Sequence, residues 1–478
     1  MNNLSSTVIR LNRKIAQDLL LFLVYSIFAL FLNIVFYNIQ TSYENWINKS
    51  TIIILLLLLL QTVVSKILFS RLFSLEYFFS VLVFIFYFGQ NILLCIGYNF
   101  SDLTYSIAYR TYGLSTYILA IKYTFSCVSF SFGGIILIQL ILKNKVIPYV
   151  KESNSDINSM FGKILLLMSL PIEGYTLLSK LIAMLNEGYK VAQGAGADVL
   201  SAFFSATLFA SIIILMLSSK LNIKKCKYIL LSYIAYQLFY MLTGQRALSL
   251  IRIVVIVYIY YHFVGKINFK SVMKTAIVGV VILYLLIIIR NSRVYGLSLS
   301  SLSFTVNGNI LFDMISEFGI TIKVITAAFA RVNEFMNGKS IICGFLAVIP
   351  GWSDLFGDNL IEKYYTYVAL GQQAWGSSFV SDLYFDFNFT GGIFASGIYG
   401  MIIGGACFKL NSCLTRGIVR ETAIWSYIVV EMIFTIRSYI FRLPRYFLYF
   451  LLIYQVGLLI SNVYKRNTSL GIVEKRKI

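Results

Sequence analysis

The sequence predicts an all-α, polytopic membrane protein, and three observations predict it. Apolar stretches of about 20 residues, the length that crosses a bilayer core, recur along the whole chain. Of the 478 residues 59% are hydrophobic and 13% charged, and mean hydropathy is +0.80. Runs such as "TIIILLLLLLQTVVSKILF" (51–69) lack the alternation of a barrel strand, so helices must satisfy the backbone in lipid.

In order, hydropathy predicts about twelve spans, roughly 19–38, 51–69, 77–97, 115–140, 164–186, 202–218, 228–243, 249–264, 275–290, 388–408, 421–436 and 446–463. The basic stretch Arg10 to Lys14 leads into a full-length span rather than a short cleavable segment, so the first helix is expected to stay as an anchor. The short loops "KLNIKKCK" and "KINFKSVMK" are rich in lysine, which places them and both termini in the cytoplasm. Four regions follow: a membrane domain over 1–290 with nine spans, an extracytoplasmic loop domain over 291–387, a membrane domain over 388–464 with three spans, and a cytoplasmic tail over 465–478. The net charge of +20 is then largely topological, and no nucleic-acid partner is expected.

The loop of nearly a hundred residues is too long to lack structure and is expected to carry function. Within it Leu311, Ile315, Phe318, Ile322, Ile325, Phe329 and Val332 recur at steps of three and four, predicting one amphipathic helix against the membrane or against other helices. Asp313 and Glu317 share a helix face, as do Asp382 and Asp386. A buried carboxylate there, Glu317 or Asp382, suits a general base toward a sugar hydroxyl; capping of the following helix is the other role open to Asp382. The aromatics Trp352, Tyr364, Tyr365, Tyr367, Trp375, Tyr384 and Phe387 fit either stacking on sugars or an interfacial belt.

Charges in or at the outer ends of spans cost several kcal/mol each, about 2.5–3.5 at a helix centre, and need partners. Here they are Lys122, Arg246, Arg252, Arg290, Arg293, Arg437, Arg442 and Arg445. Arginine's planar fork binds phosphate oxygens in pairs, so this set points to a phosphorylated or pyrophosphorylated lipid; a single snorkelling arginine on an ordinary headgroup is the plainer alternative. Glu173 and Lys180 lie two turns apart on one helix face and are expected to pair, and Glu431 near Arg437 reads the same way. The six cysteines show no metal-ligand spacing, and the only histidine, His262, falls at a predicted cytoplasmic helix end, so no metal or cofactor is expected.

The ordered series "LTGQRALSLIRIVVIVYIYYH", "LIIIRNSR", "ISEFGITIKVI", "NGKSIICGFLAVIPGW" and "GSSFVSDLYFDFNFTGGIFASGIYGMIIGG" resembles the O-antigen polysaccharide polymerase family of Wzy type, over about residues 160 to 460. The resemblance implies a bacterial inner-membrane glycosyltransferase of GT-C-like architecture. Such an enzyme joins undecaprenyl-pyrophosphate-linked repeat units on the periplasmic side, without metal, into O-antigen or capsular polysaccharide. It further implies that Arg246 and Arg290 hold the donor pyrophosphate, with Arg437, Arg442 and Arg445 in a later basic segment. Asp382 stands where the family more often has glutamate. A chain-length regulator and a flippase are the implied partners. A lipid-linked oligosaccharide flippase and an O-antigen ligase are the rival readings, and the cytoplasmic setting expected for His262 counts against the ligase.

Overall fold

The computed structural model describes residues 2–40, 42–69, 74–98, 108–143, 155–187, 199–219, 222–264, 310–349 and 376–475. Among the described residues there are helices and no strands. The helices are α1 (Asn2–Tyr37), α2 (Tyr43–Phe69), α3 (Leu75–Cys95), α4 (Ala108–Tyr112), α5 (Leu114–Lys143), α6 (Ser155–Glu187), α7 (Val199–Ser218), α8 (Ile223–Leu242) and α9 (Arg246–Val264). After 265–309 come α10 (Ile310–Gly319), α11 (Thr321–Arg331), α12 (Lys339–Leu346), α13 (Phe379–Arg416), α14 (Val419–Phe434), a 3-10 turn (Ile440–Arg442) and α15 (Leu443–Lys475).

Among the described residues nine helices are long and apolar enough to cross a membrane: α1, α2, α3, α5, α6, α7, α9, α13 and α15. Twelve were expected. Two further predicted spans, 228–243 and 421–436, do fall on helices, α8 and α14. The first opens with Lys224, Lys225 and Lys227, and the second has 16 residues, about 24 Å at 1.5 Å per residue, short of a bilayer core. The span predicted at 275–290 lies outside the described residues. Apolar side chains stand exposed in rows along α1, α2, α6 and α15; Ile27 at 65% and Leu167 at 77% are a surface made for lipid rather than water.

The chain forms two compact units. The first comprises Met1–Pro148, Gly308–Phe408 and Thr435–Arg442. In it α5 and α13 meet along a seam of small residues. A Cβ on Gly134 would overlap the Gly397 carbonyl, one on Gly400 the Ser131 carbonyl, and one on Gly404 would come 2.7 Å from Ile138. Ser396 donates to the Cys127 carbonyl across the same seam, at 3.0 Å. In membranes, where apolar surface alone drives little association, such close backbone approach supplies the dispersion contact.

The amphipathic helix predicted from Leu311 to Val332 is two helices, α10 and α11, broken at Ile320. Gly319, the last residue of α10, packs on α3 so closely that a Cβ would lie 2.7 Å from the Gln90 backbone nitrogen. The stripe rests against other helices, since α11 packs on α3, α4 and α5 and buries Lys323 and Thr326 along with its apolar residues. α13 is also interrupted, at Asn388, whose φ of 63° and ψ of −171° are not helical. That kink sits where the predicted span 388–408 begins.

The second unit comprises Tyr149–Asn307, Lys409–Phe434 and Leu443–Ile478. α6, α7, α8, α9, α14 and α15 pack there around a polar interior. Pro171 lies inside α6 two residues before Glu173; proline removes a backbone donor from the helix ladder there.

Candidate functional site

In the second unit, Gly244 with φ of 105° turns α8 into α9, a conformation that favours glycine, and Arg246 is the first residue of α9. Arg246 and Arg445, the latter in the first turn of α15, are half-buried near helix starts. Arg252 is different. It is 3% exposed, and its guanidinium donates to Ser205 Oγ at 2.6 Å. Glu431, Glu173, Tyr233 and Tyr236 surround it electrostatically. Glu173 accepts from the Tyr236 hydroxyl at 2.6 Å, and the Lys180 ammonium stands 5.5 Å over the Tyr240 ring. The expected pair of Glu173 and Lys180 is therefore part of a larger buried network with two acids and two bases, and Glu431 faces Arg252. Mutual neutralisation is what permits four charges to be buried among these helices.

In the first unit, the start of α13 is capped reciprocally by Ser378 and Ser381: Ser381 N donates to Ser378 Oγ at 3.0 Å, and Ser378 N to Ser381 Oγ at 3.2 Å. With the cap supplied by serine, Asp382 reaches elsewhere. It is 1% exposed, Oδ1 accepts from Ser377 Oγ at 2.6 Å, and Oδ2 accepts from Ile440 N at 2.7 Å. Asp386, one turn on, accepts from Ser340 N at 3.3 Å and from the Ser340 hydroxyl. Two aspartates on one helix face thus hold the N-termini of two short elements, the 3-10 turn and α12. Those elements also pack together, because a Cβ on Gly344 would overlap the Phe441 carbonyl. Anionic oxygens at helix N-termini satisfy orphan N–H groups and complement the dipole.

The segment carrying Arg437 and Arg442 is stitched in place. Phe379 N donates to the Thr435 carbonyl at 2.8 Å, Tyr87 Oη to the Ile436 carbonyl at 3.1 Å, and Tyr399 Oη lies 2.7 Å from Thr435 Oγ1. Of the expected site residues, then, Asp382 is brought to the turn that bears Arg437 and Arg442, while Arg246, Arg252 and Arg445 belong to the second unit. Glu317 is half-buried on α10, which packs against α3. Arg290, Arg293, Trp352, Tyr364, Tyr365, Tyr367 and Trp375 lie outside the described residues. Lys122 donates to the Tyr37 carbonyl at 2.8 Å and so caps the last turn of α1.

Sequence reasoning passed over Lys323, 3% exposed on α11, where burial pushes its pKa below the ordinary lysine value. A lysine inside "ITIKVITAAFA" was the available signal. It also passed over Glu76, fully buried at the start of α3, which accepts from Gln139 Nε2 at 3.1 Å. Among the described residues no group of three or more His, Cys, Asp or Glu is placed to hold a metal ion.

No curated protein and no solved structure matches the chain. The profile of the family described as O-antigen polysaccharide polymerase Wzy matches residues 19–467, nearly its full length. A polytopic helical membrane protein with that match belongs to the O-antigen polysaccharide polymerase Wzy family, whose members polymerise repeat units by glycosyl transfer.

Proposed function

We propose that this protein polymerises undecaprenyl-pyrophosphate-linked oligosaccharide repeat units into O-antigen or capsular polysaccharide. The reaction takes place at the periplasmic face of the bacterial inner membrane, with both termini in the cytoplasm. The observation that carries the reading is the family match across residues 19–467. In the reaction an acceptor sugar hydroxyl forms a bond to the anomeric carbon of the donor chain. The bond from that carbon to the pyrophosphate oxygen breaks, undecaprenyl pyrophosphate leaves with the electron pair, and the hydroxyl proton passes to a carboxylate. Arg246, at the start of α9, and Arg290 neutralise the leaving diphosphate electrostatically, without metal. Arg293 and Arg445 add positive charge for the same anion, and Arg437 and Arg442, in the first unit, form a separate basic segment suited to a pyrophosphate.

Asp382 has one oxygen on Ser377 and the other on Ile440 N, which favours Glu317 as the carboxylate that orients the acceptor hydroxyl. Asp382 then acts through the turn it anchors. A chain-length regulator and a flippase act with the enzyme. The test is gene deletion in the native strain, complemented with wild type, Arg246→Ala or Arg290→Ala. Single repeat units on their acceptor without a ladder are expected from the deletion and both variants, with the variant proteins still in the membrane. A normal ladder in both variants rejects the arginine assignment; loss of every unit from the surface points to flippase or ligase instead.

A further inference from the structure

The kink at Asn388 lies in the middle of a cluster of aromatic rings in the first unit. Phe329 stacks on Tyr384 with centroids 3.9 Å apart, Tyr123 lies 5.3 Å from both Phe329 and Phe389, and Phe389 meets Tyr37 edge-on at 6.2 Å. Tyr123 and Tyr384 are buried and form the base, while Tyr37, Phe329 and Phe389 are half-buried. Asn388 is exposed, and so are Asn337 and Thr390.

Asn388 is also strained. Its φ of 63° with ψ of −171° falls in a region open almost only to glycine, inside what is otherwise one helix. Its side chain partly supports that conformation, since Oδ1 accepts from Phe389 N at 2.6 Å, and the amide NH2 of this exposed residue remains a donor. The other non-glycine residue with positive φ among the described residues is Asn337, at 51°. Gly338 abuts the Phe387 ring, and Met336 N donates to the Phe385 carbonyl at 3.0 Å. Strain of this kind persists where the surrounding fold over-determines it, and it concentrates at ligand sites.

Half-exposed aromatic rings rimmed by amides match one ligand chemistry in particular. A pyranose presents a face of polarised C–H groups, which suits the negative face of an aromatic ring, and a rim of hydroxyls, which need groups able both to donate and to accept. We propose that Asn388, with Phe389, Phe329 and Tyr37, forms a subsite for a neutral sugar of the glycan. The subsite rests on the polymerase reading, and it assigns to the kink the task of presenting Asn388 and Phe389 together. Lys122, held against the Tyr37 carbonyl and 5.7 Å from the centre of its ring, fixes the edge of the platform.

The test uses the full-length protein in nanodiscs and, as probe, the oligosaccharide of one or two repeat units released from the native polymer by mild acid. Binding is followed by saturation-transfer NMR and titration. Asn388→Gly relieves the strain, so this variant is expected to melt higher than wild type while binding the oligosaccharide at least tenfold more weakly. Phe389→Leu is expected to weaken binding similarly. Stability and binding moving in opposite directions is an outcome that a purely structural kink would not produce. Equal binding by wild type and both variants, or no binding by wild type, overturns the subsite. The polymerase reading fails separately, if the deletion strain keeps its full ladder.

Discussion

Asp382 and Arg252 are charged residues that helix packing buries. Both stood out in the sequence, one as a base and one as a phosphate ligand, yet each is nearly inaccessible and hydrogen-bonded within its own unit. For Asp382 the expected result is a split between substitutions. Asp382→Asn keeps an oxygen for Ile440 N and should retain most of the ladder with an unshifted pH profile. Asp382→Ala leaves a part-buried N–H unsatisfied, at a cost of about 1–3 kcal/mol, and should lose both melting temperature and polymer. A general base would lose activity in both. Arg252→Ala removes one cation from a network with Glu173 and Glu431, and such removals cost about 3–5 kcal/mol. The variant should therefore fall in membrane abundance on immunoblots, whereas Arg246→Ala, at a half-buried helix start, should keep its abundance and lose its ladder.

At the scale of elements, periodicity was readable and breaks in it were not. The stripe from Leu311 to Val332 has the right spacing for helix, but neither the split at Ile320 nor the close meeting of Gly319 with Gln90, a partner more than two hundred positions away, is written in it. The seam of α5 and α13 leaves a clearer trace, in the small residues Gly392, Ser396, Gly400 and Gly404 at steps of four. Gly400→Val would drive a side chain into the Ser131 carbonyl and should destabilise by about 1–3 kcal/mol, seen as a lower melting temperature in detergent. Gly405→Ala is the internal control, because a Cβ there meets nothing nearer than Ile138 at 3.8 Å, an ordinary contact, and should be tolerated. A seam that tolerated both changes equally would contradict the close approach.

For the whole molecule, hydropathy finds segments that can cross a bilayer, and nine helices among the described residues do qualify. The proposed orientation rests on the lysines at 220–227 and 266–274. Fusing alkaline phosphatase after Ile478 should give an inactive reporter and fusing a fluorescent protein there a bright one, while phosphatase inserted near Gly338 should be active. Phosphatase activity at Ile478 would reverse the proposed sidedness.

What the sequence determined by itself was the class: membrane helices follow from composition and run length, because lipid leaves the backbone no other way to bond in such segments. The family was legible too, in motifs that keep their order along the chain. Only the tertiary structure decided which charges face inward, that Ser378 and Ser381 cap α13, and that Asp382 and Asp386 reach two short elements instead. The reason is physical. Helix formation is set by neighbours three and four residues apart, whereas the fate of a buried charge is set by partners 46 or 58 positions away, brought near only when the helices pack.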